Sequence, residues 1–241
     1  IYLGNFLRGD FGVSYTKAGL TVNKVIADGF PFSLTIGIYA SLVVVFAGIL
    51  FGSVCALRQN KLIDRFFMVL STLGSTIPSF VLATGFLFLF SKTLGLVPAF
   101  GVDEVAGYIG PVLVIGAFPL SFITRLTRTS LVEVQQQDYI RTARSKGISE
   151  FKVIYKHALR NALLPVVTYI GPMVASIVTG SFVIETVFGI PGVGQLFTDS
   201  IVNRDYPLIM GITVFFAVLL VLAVLIVDLV YVLIDPRIKL D

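Results

Sequence analysis

Residues 206–227 read YPLIMGITVFFAVLLVLAVLIV, and no charged side chain interrupts them. A helix needs about 20 such residues to cross the roughly 30 Å hydrocarbon core of a bilayer, so this run predicts a membrane span, continuing past Asp228 to about Ile234. Four further uncharged runs of span length stand upstream, over 29–57, 66–91, 105–124 and 161–184. The whole chain agrees with them. It is 56% hydrophobic and 13% charged, with a mean hydropathy of +0.94, whereas soluble domains carry about a quarter charged residues. The fold class expected is all-α transmembrane, a polytopic helical bundle with five visible spans. Pro78, Pro119, Pro172 and Gly180 fall inside the runs, which helices packed in a bundle tolerate.

A single cysteine, Cys55, and a single histidine, His157, exclude an intrachain disulfide framework and leave no Cys/His metal site. The net charge of +4 is read by its placement. Residues 58–65 hold three Lys/Arg against Asp64, and residues 125–160 hold eight against Glu133, Asp138 and Glu150. Residues 92–104 and 185–205 are net acidic. Basic loops stay in the cytoplasm, so this charge orients the chain in the plasma membrane and is no nucleic-acid footprint. Residues 1–28 then form an external segment and 29–241 the transmembrane domain, with 125–160 as its main cytoplasmic loop. An external start with no visible signal peptide predicts one more span before Ile1, six in all.

That loop contains RTARSKGISEFKVIYKHALRNALLP, residues 141–165. Phe151, Ile154, Tyr155, Ala158, Leu159 and Ala162 recur at helical spacing, with Glu150, Lys152, Lys156 and Arg160 opposite. Ser149 is placed to cap this amphipathic helix, and Gly147 to end a short preceding one over 138–146. Two helices meeting at a glycine make a projecting elbow. On pattern alone it either lies on anionic membrane lipid or docks to a protein.

The elbow resembles the EAA loop of ABC importer permeases. Arg141, Thr142 and Ala143 stand where Glu-Ala-Ala would be and Gly147 follows at the right distance, although Pro165 lies farther downstream than in the general pattern. YIRTARSKG and HALRNALLP are similar to the dipeptide and oligopeptide branch of that family. So are GDFGVSY (9–15), IPSF (77–80), GSFVIETVFGIPGVGQL (180–196), NRDYP (203–207) and DPRI (235–238). The ending VDLVYVLIDPRI resembles the B-type, first permease. The resemblance implies a peptide importer with a second homologous permease, two ATP-binding cassette subunits and an extracytoplasmic substrate-binding protein as partners. It implies ATPase coupling through Arg141, Thr142, Ala143, Gly147, Phe151, Ile154, Tyr155 and His157. It also implies an external gate at Glu185, Gly189, Pro191, Gly192 and Gly194.

No Gly-Lys dipeptide occurs, so the chain has no phosphate-cradling P-loop and no catalytic residues are expected; ATP and magnesium belong to the partner ATPases. The spacing of Gly189, Gly192 and Gly194 is not that of a dinucleotide loop, and a re-entrant turn with Pro191 is expected instead. Glu185 at its edge is read either as a pathway residue or as a hydrated interfacial charge. Asp228 is expected to be structural, sharing a face with Tyr231 and Asp235, and His157 to belong to the elbow's contact or solvated face. A secondary transporter or ion-coupled channel is the alternative function, but it calls for coupling groups and repeated halves that the sequence does not display.

Overall fold

The computed structural model describes residue 4 and residues 8–234, with side chains 227, 228 and 230–234 outside the described set. The expectations for the Asp228 and Tyr231 side chains, and for the DPRI stretch, lie outside it. Among the described residues the chain is helical, apart from loops and one antiparallel bridge between Val13 and Thr21.

Among the described residues these helices follow one another. They are α1 (Val22–Leu57), α2 (Leu62–Thr76), α3 (Ser79–Thr93, ending in a π-helical turn), α4 (Ile109–Gln135), α5 (Asp138–Ser145), α6 (Glu150–Ala162), α7 (Leu164–Val178), α8 (Phe182–Phe188), α9 (Val193–Val202) and α10 (Tyr206–Ile234). Among the described residues, three stretches are long and apolar enough to cross a membrane unbroken: α1, α4 with the 3₁₀ turn before it, and α10. Two bent pairs, α2 with α3 at 110° and α6 with α7 at 51°, bring the count to five if each pair crosses as one broken span.

The expected straight span over 66–91 is therefore broken at Ile77–Pro78. Proline lacks an amide donor and pushes the preceding residue out of the helical region, and Ile77 has ψ 127°. Pro31, Pro119 and Pro172 stay inside helices. The run expected over 161–184 ends at Val178, where Gly180 adopts a positive φ of 86° and a new helix starts at Phe182. The run expected to end at Thr124 continues as helix to Gln135.

The chain folds as two compact units. One comprises the chain up to Ala40, Ser79–Ile115 and everything from Val174 on. Its core joins Val22, Val25 and Ile26 of α1 to Val193 of α9 and to Leu208 and Ile212 of α10, with Phe30 edge-on to Phe215 at 5.1 Å. The other comprises Ser41–Pro78 and Gly116–Met173. There α1 presents Gly48 and Gly52 to α4. A Cβ on Gly48 would sit 2.6 Å from Ile123, and one on Gly52 2.5 Å from Thr127, so this GxxxG pair lets the two backbones approach closely. Arg128 of α4 donates to both carboxylate oxygens of Asp64 at 2.6 and 2.7 Å, and the Asn60 amide donates to the same carboxylate at 2.8 Å.

Candidate functional site

In the second unit, α5 ends as the sequence requires. The Gly147 amide donates to Arg144 O at 2.9 Å and the Ile148 amide to Ala143 O at 3.4 Å, the paired closure of a Schellman cap. Gly147 takes φ 76°, a left-handed value that glycine adopts without strain. Arg144 then reaches across the turn to Glu150 at 2.8 Å, bracing α5 against α6. Ser149 occupies the N-cap position of α6 without a side-chain cap bond, contrary to expectation.

The buried face of the elbow agrees with the expected stripe at Ala158, Leu159 and Ala162 and departs from it over residues 151–155. Val153, Ala158 and Ala162 are buried with Ala143 and Ile140, against Leu131 of α4 and Ala56 of α1. Residues 153–158 form a π-helical turn, whose wider repeat brings Val153 inward together with the expected Ala158 and Ala162, while Phe151 and Tyr155 of the expected stripe face outward. Phe151 and Tyr155 are exposed, their ring centroids 4.4 Å apart at a tilt of 32°, while Ile154 is half-buried in a cleft toward α1 that Tyr155 also borders. Arg141 and Thr142 are exposed, Ala143 is buried, and His157 is half-buried with its carbonyl accepting from Asn161. The elbow thus keeps Ala143 inside and offers Arg141, Phe151 and Tyr155 outward.

In the first unit, Glu185 is buried, 1% exposed, and so is not the water-exposed interfacial charge of one of the two readings. It lies in α8, which ends at Gly189 with φ 61°, and the chain turns through exposed Pro191 to Gly192, the N-cap of α9. The carboxylate accepts from the Gly194 amide at 2.8 Å and the Gln195 amide at 3.2 Å, two of the free donors at the start of α9. Ser33 of α1 hydrogen-bonds the same carboxylate and accepts the Val193 amide at 2.9 Å. Three glycines make room. A Cβ on Gly192 would stand 2.6 Å from Ser33 Oγ and 2.7 Å from Glu185 Cδ, and one on Gly180 or Gly194 would meet a Glu185 oxygen at 2.7 or 2.9 Å. The structure therefore brings Glu185, Gly192 and Gly194 together, with Gly189 and Pro191 shaping the turn between them. Sequence reasoning missed Ser33 and the role of Gly180.

Burial pushes the Glu185 carboxyl up, against hydrogen bonds from Ser33 and the α9 amides that pull it down. The fold favours its protonated form, so that contribution is present at low pH and fades as pH rises through the raised value.

Asp205, also missed, has the opposite sign. It is fully buried before α10 and accepts from the Leu208 amide at 3.3 Å. It also accepts from the Ser14 hydroxyl, the Tyr15 amide at 3.1 Å and the Thr16 hydroxyl at 2.8 Å. GDFGVSY and NRDYP, both visible as motifs, meet here. Burial alone would raise the Asp205 carboxyl, but the donors from Ser14, Thr16 and Tyr15 outweigh it and hold it at about 2 against the ordinary 3.8. The ionised form therefore stabilises the fold above the ordinary value by about 2 kcal/mol, and this support is lost as pH falls from about 4 toward 2. The melting temperature in detergent should drop over that interval, and Asp205→Asn should lower it at neutral pH while flattening the acid drop.

Residues 48–240 match the family described as binding-protein-dependent transport system inner membrane component. The chain belongs to this family. It is 48% identical over 99% of its length to the dipeptide transport system permease protein DppB of Bacillus subtilis strain 168, covering 78% of that protein. It is 43% identical over 99% of its length to the oligopeptide transport system permease protein OppB of Haemophilus influenzae, covering 79%. Among solved structures, an inward-facing MetNI methionine ABC transporter chain aligns with a TM-score of 0.69 at 16% identity, over 86% of this chain and 94% of that one. A chain of an amino acid ABC transporter with histidines aligns at 0.67 and 14%, over 95% and 96%. These two carry the fold alone. The protein is an integral, all-α permease subunit of the cell membrane.

Proposed function

We propose that this chain is a pathway-forming subunit of an ATP-driven importer of dipeptides or oligopeptides. Its partners in that reading are a second permease, two ATPases and an external binding protein. The observation that carries it is 48% identity over nearly the whole chain to a dipeptide permease, extending through the elbow and the Glu185 turn. The ATPases hold ATP and magnesium, and this chain supplies no catalytic group.

The elbow is the coupling element. Its outward pair, Phe151 and Tyr155, inserts into an ATPase groove, and Arg141 lies beside it on the exposed side of α5. Closure of the ATPases then moves the elbow as a unit, because the Schellman cap and the Arg144–Glu150 pair fix its angle. The shared core of Val153, Ala158, Leu131 and Ala56 passes that movement to α4 and α1. Glu185 acts on the external side by holding the α8–α9 turn in shape.

The test is ATPase retention in mild detergent. Phe151→Ala and Tyr155→Ala should each weaken docking by about 1–3 kcal/mol, and together release the ATPases, whereas Lys152→Ala should leave them bound. A Cβ at Gly147 would meet no neighbouring atom within 4 Å, so the main effect of Gly147→Val is the cost of about 1–2 kcal/mol of forcing a β-branched residue left-handed. Transport should fall with binding-protein docking intact. Full retention in the aromatic double variant, with release on loss of Lys152, overturns the assignment.

A further inference from the structure

Two loops whose acidic charge places them outside, 92–104 and 185–205, meet in the first unit. Residues 94–101 follow the π-helical turn that ends α3 and run to the end of α8. There the Gly101 amide donates to Phe188 O at 3.0 Å, taking one of the carbonyls that a helix leaves free at its C-terminus. Beside that bond the Phe100 side chain lies over Gly189. A Cβ on Gly189 would stand 3.5 Å from Cδ1 and 3.6 Å from Cβ of Phe100.

The two sides of this contact are held differently. The α8–α9 turn is fixed from within by the buried Glu185 carboxylate and its α9 amides. Phe188 is buried too, so close to α4 that a Cβ on Gly110 would stand 2.5 Å from its ring and 2.8 Å from that of Phe86. The stretch above has no such hold on α8. Phe100 is 70% exposed, so its ring rests on Gly189 while most of it faces solvent. Its other ties run elsewhere: the Leu96 amide donates to Phe90 O at 2.9 Å and the Ser91 hydroxyl to Pro98 O at 3.2 Å, both back to α3. Val102, just beyond, is buried, with Gly107 of the same loop close against its backbone. Gly95 and Gly101 bracket the stretch with left-handed φ values of 63° and 79°. It is anchored on α3 and only seated on α8, between glycines and after a π-helical turn, an irregularity often found at functional sites.

We propose that residues 94–101 are a strap that closes over the α8–α9 turn on the outer side and lifts from it in each transport cycle, with Phe100 on Gly189 and the Gly101 amide on Phe188 O as its latch. One backbone hydrogen bond nets little where water can replace either partner, and Phe100 leaves a contact that is already mostly hydrated. The latch therefore opens without disturbing the Glu185 network beneath it. The inference rests on the reading of the chain as an importer subunit with these loops outside, and it makes no use of the elbow.

A disulfide across the latch tests this in the assembled transporter with its ATPases and binding protein. Phe100→Cys and Gly189→Cys are combined in a Cys55→Ala background, and the 3.6 Å between the two Cβ positions suits a disulfide, for which about 3.5–4.5 Å is usual. Oxidation with copper phenanthroline, followed by loss of maleimide-reactive thiol, should cut import of a mixture of labelled dipeptides and oligopeptides by about tenfold or more, as blocking a gating step does. Dithiothreitol should return import to the level of the unoxidised double variant. Unchanged import with the disulfide complete overturns the proposal, and so do thiols that stay reactive, since the strap then does not rest on Gly189. A second measurement leaves Gly189 in place, should its replacement prevent folding. Spin labels on Leu96→Cys and Val202→Cys, both exposed, should change their separation by about 5 Å, the room an extended chain needs, between the resting transporter and a vanadate-stalled complex with binding protein, peptide and ATP. A fixed separation overturns the strap. If wild type with all its partners imports no peptide, the functional reading falls and the strap with it; if wild type and the locked variant import equally, the strap alone falls.

Discussion

Asp64→Ala is expected to destabilise the second unit by about 3–5 kcal/mol, because it strands a partly buried guanidinium whose two best donors point at the missing carboxylate. Arg128 reaches Asp64 with both Nε and Nη2, a paired geometry that a lysine does not reproduce. The same change frees the amide of Asn60, held in a left-handed turn at φ 62° by Asp64. Removing both charges should do much less harm: Asp64→Leu with Arg128→Met replaces the pair by apolar groups of similar size, and buried pairs so replaced are often neutral or better. Thermal unfolding of the detergent-solubilised transporter separates the cases. A large loss for Asp64→Ala, largely regained in the double variant, places the pair as a specificity device between α2 and α4. Equal loss in both means that the charges themselves hold the helices.

This pair also shows where the sequence stops being legible. Apolar runs announce α1, α4, α7 and α10, because lipid forces each span to satisfy its own backbone and tolerates little charge. The end of α4 is not announced, since Arg125 and Arg128 read as the start of a basic loop until Asp64, 64 residues away, supplies a partner. Pro78 is ambiguous for a related reason. Pro119 and Pro172 sit inside continuous helices while Pro78 ends one at a 110° bend, and the difference lies in surroundings that no local pattern encodes. At the elbow, the helix end at Gly147 was readable from one residue, but the π-helical turn over 153–158 brings Val153 into the buried face and leaves Phe151 and Tyr155 outside it, which regular helical spacing does not select. The Glu185 turn shows the same limit. Its glycines were visible as a cluster, yet their purpose depends on Ser33, more than 150 residues earlier.

Glu185→Ala should be among the most damaging single changes in the first unit, by about 2–5 kcal/mol. It leaves the Gly194 and Gln195 amides and the Ser33 hydroxyl facing a void, each unsatisfied buried donor being worth about 1–3 kcal/mol. Glu185→Gln keeps an acceptor oxygen for the α9 amides and should be milder, although its NH₂ then meets a Ser33 hydroxyl already engaged by Val193. Gly192→Ala should resemble Glu185→Ala for the opposite reason, since its methyl would overlap Ser33 Oγ and the Glu185 carboxylate. The decisive measurement is the cycle built from these two. If the glycine exists to admit the carboxylate, removing the carboxylate vacates the space that the methyl requires. Gly192→Ala should then add little to Glu185→Ala, with a coupling on the order of 1–3 kcal/mol between the sites. Unfolding in detergent, with protease cleavage between α8 and α9 as a local readout, measures all four corners. Strict additivity would mean that Gly192 answers to its own backbone or to Ser33 alone, and that Glu185 is not the group around which this turn is built.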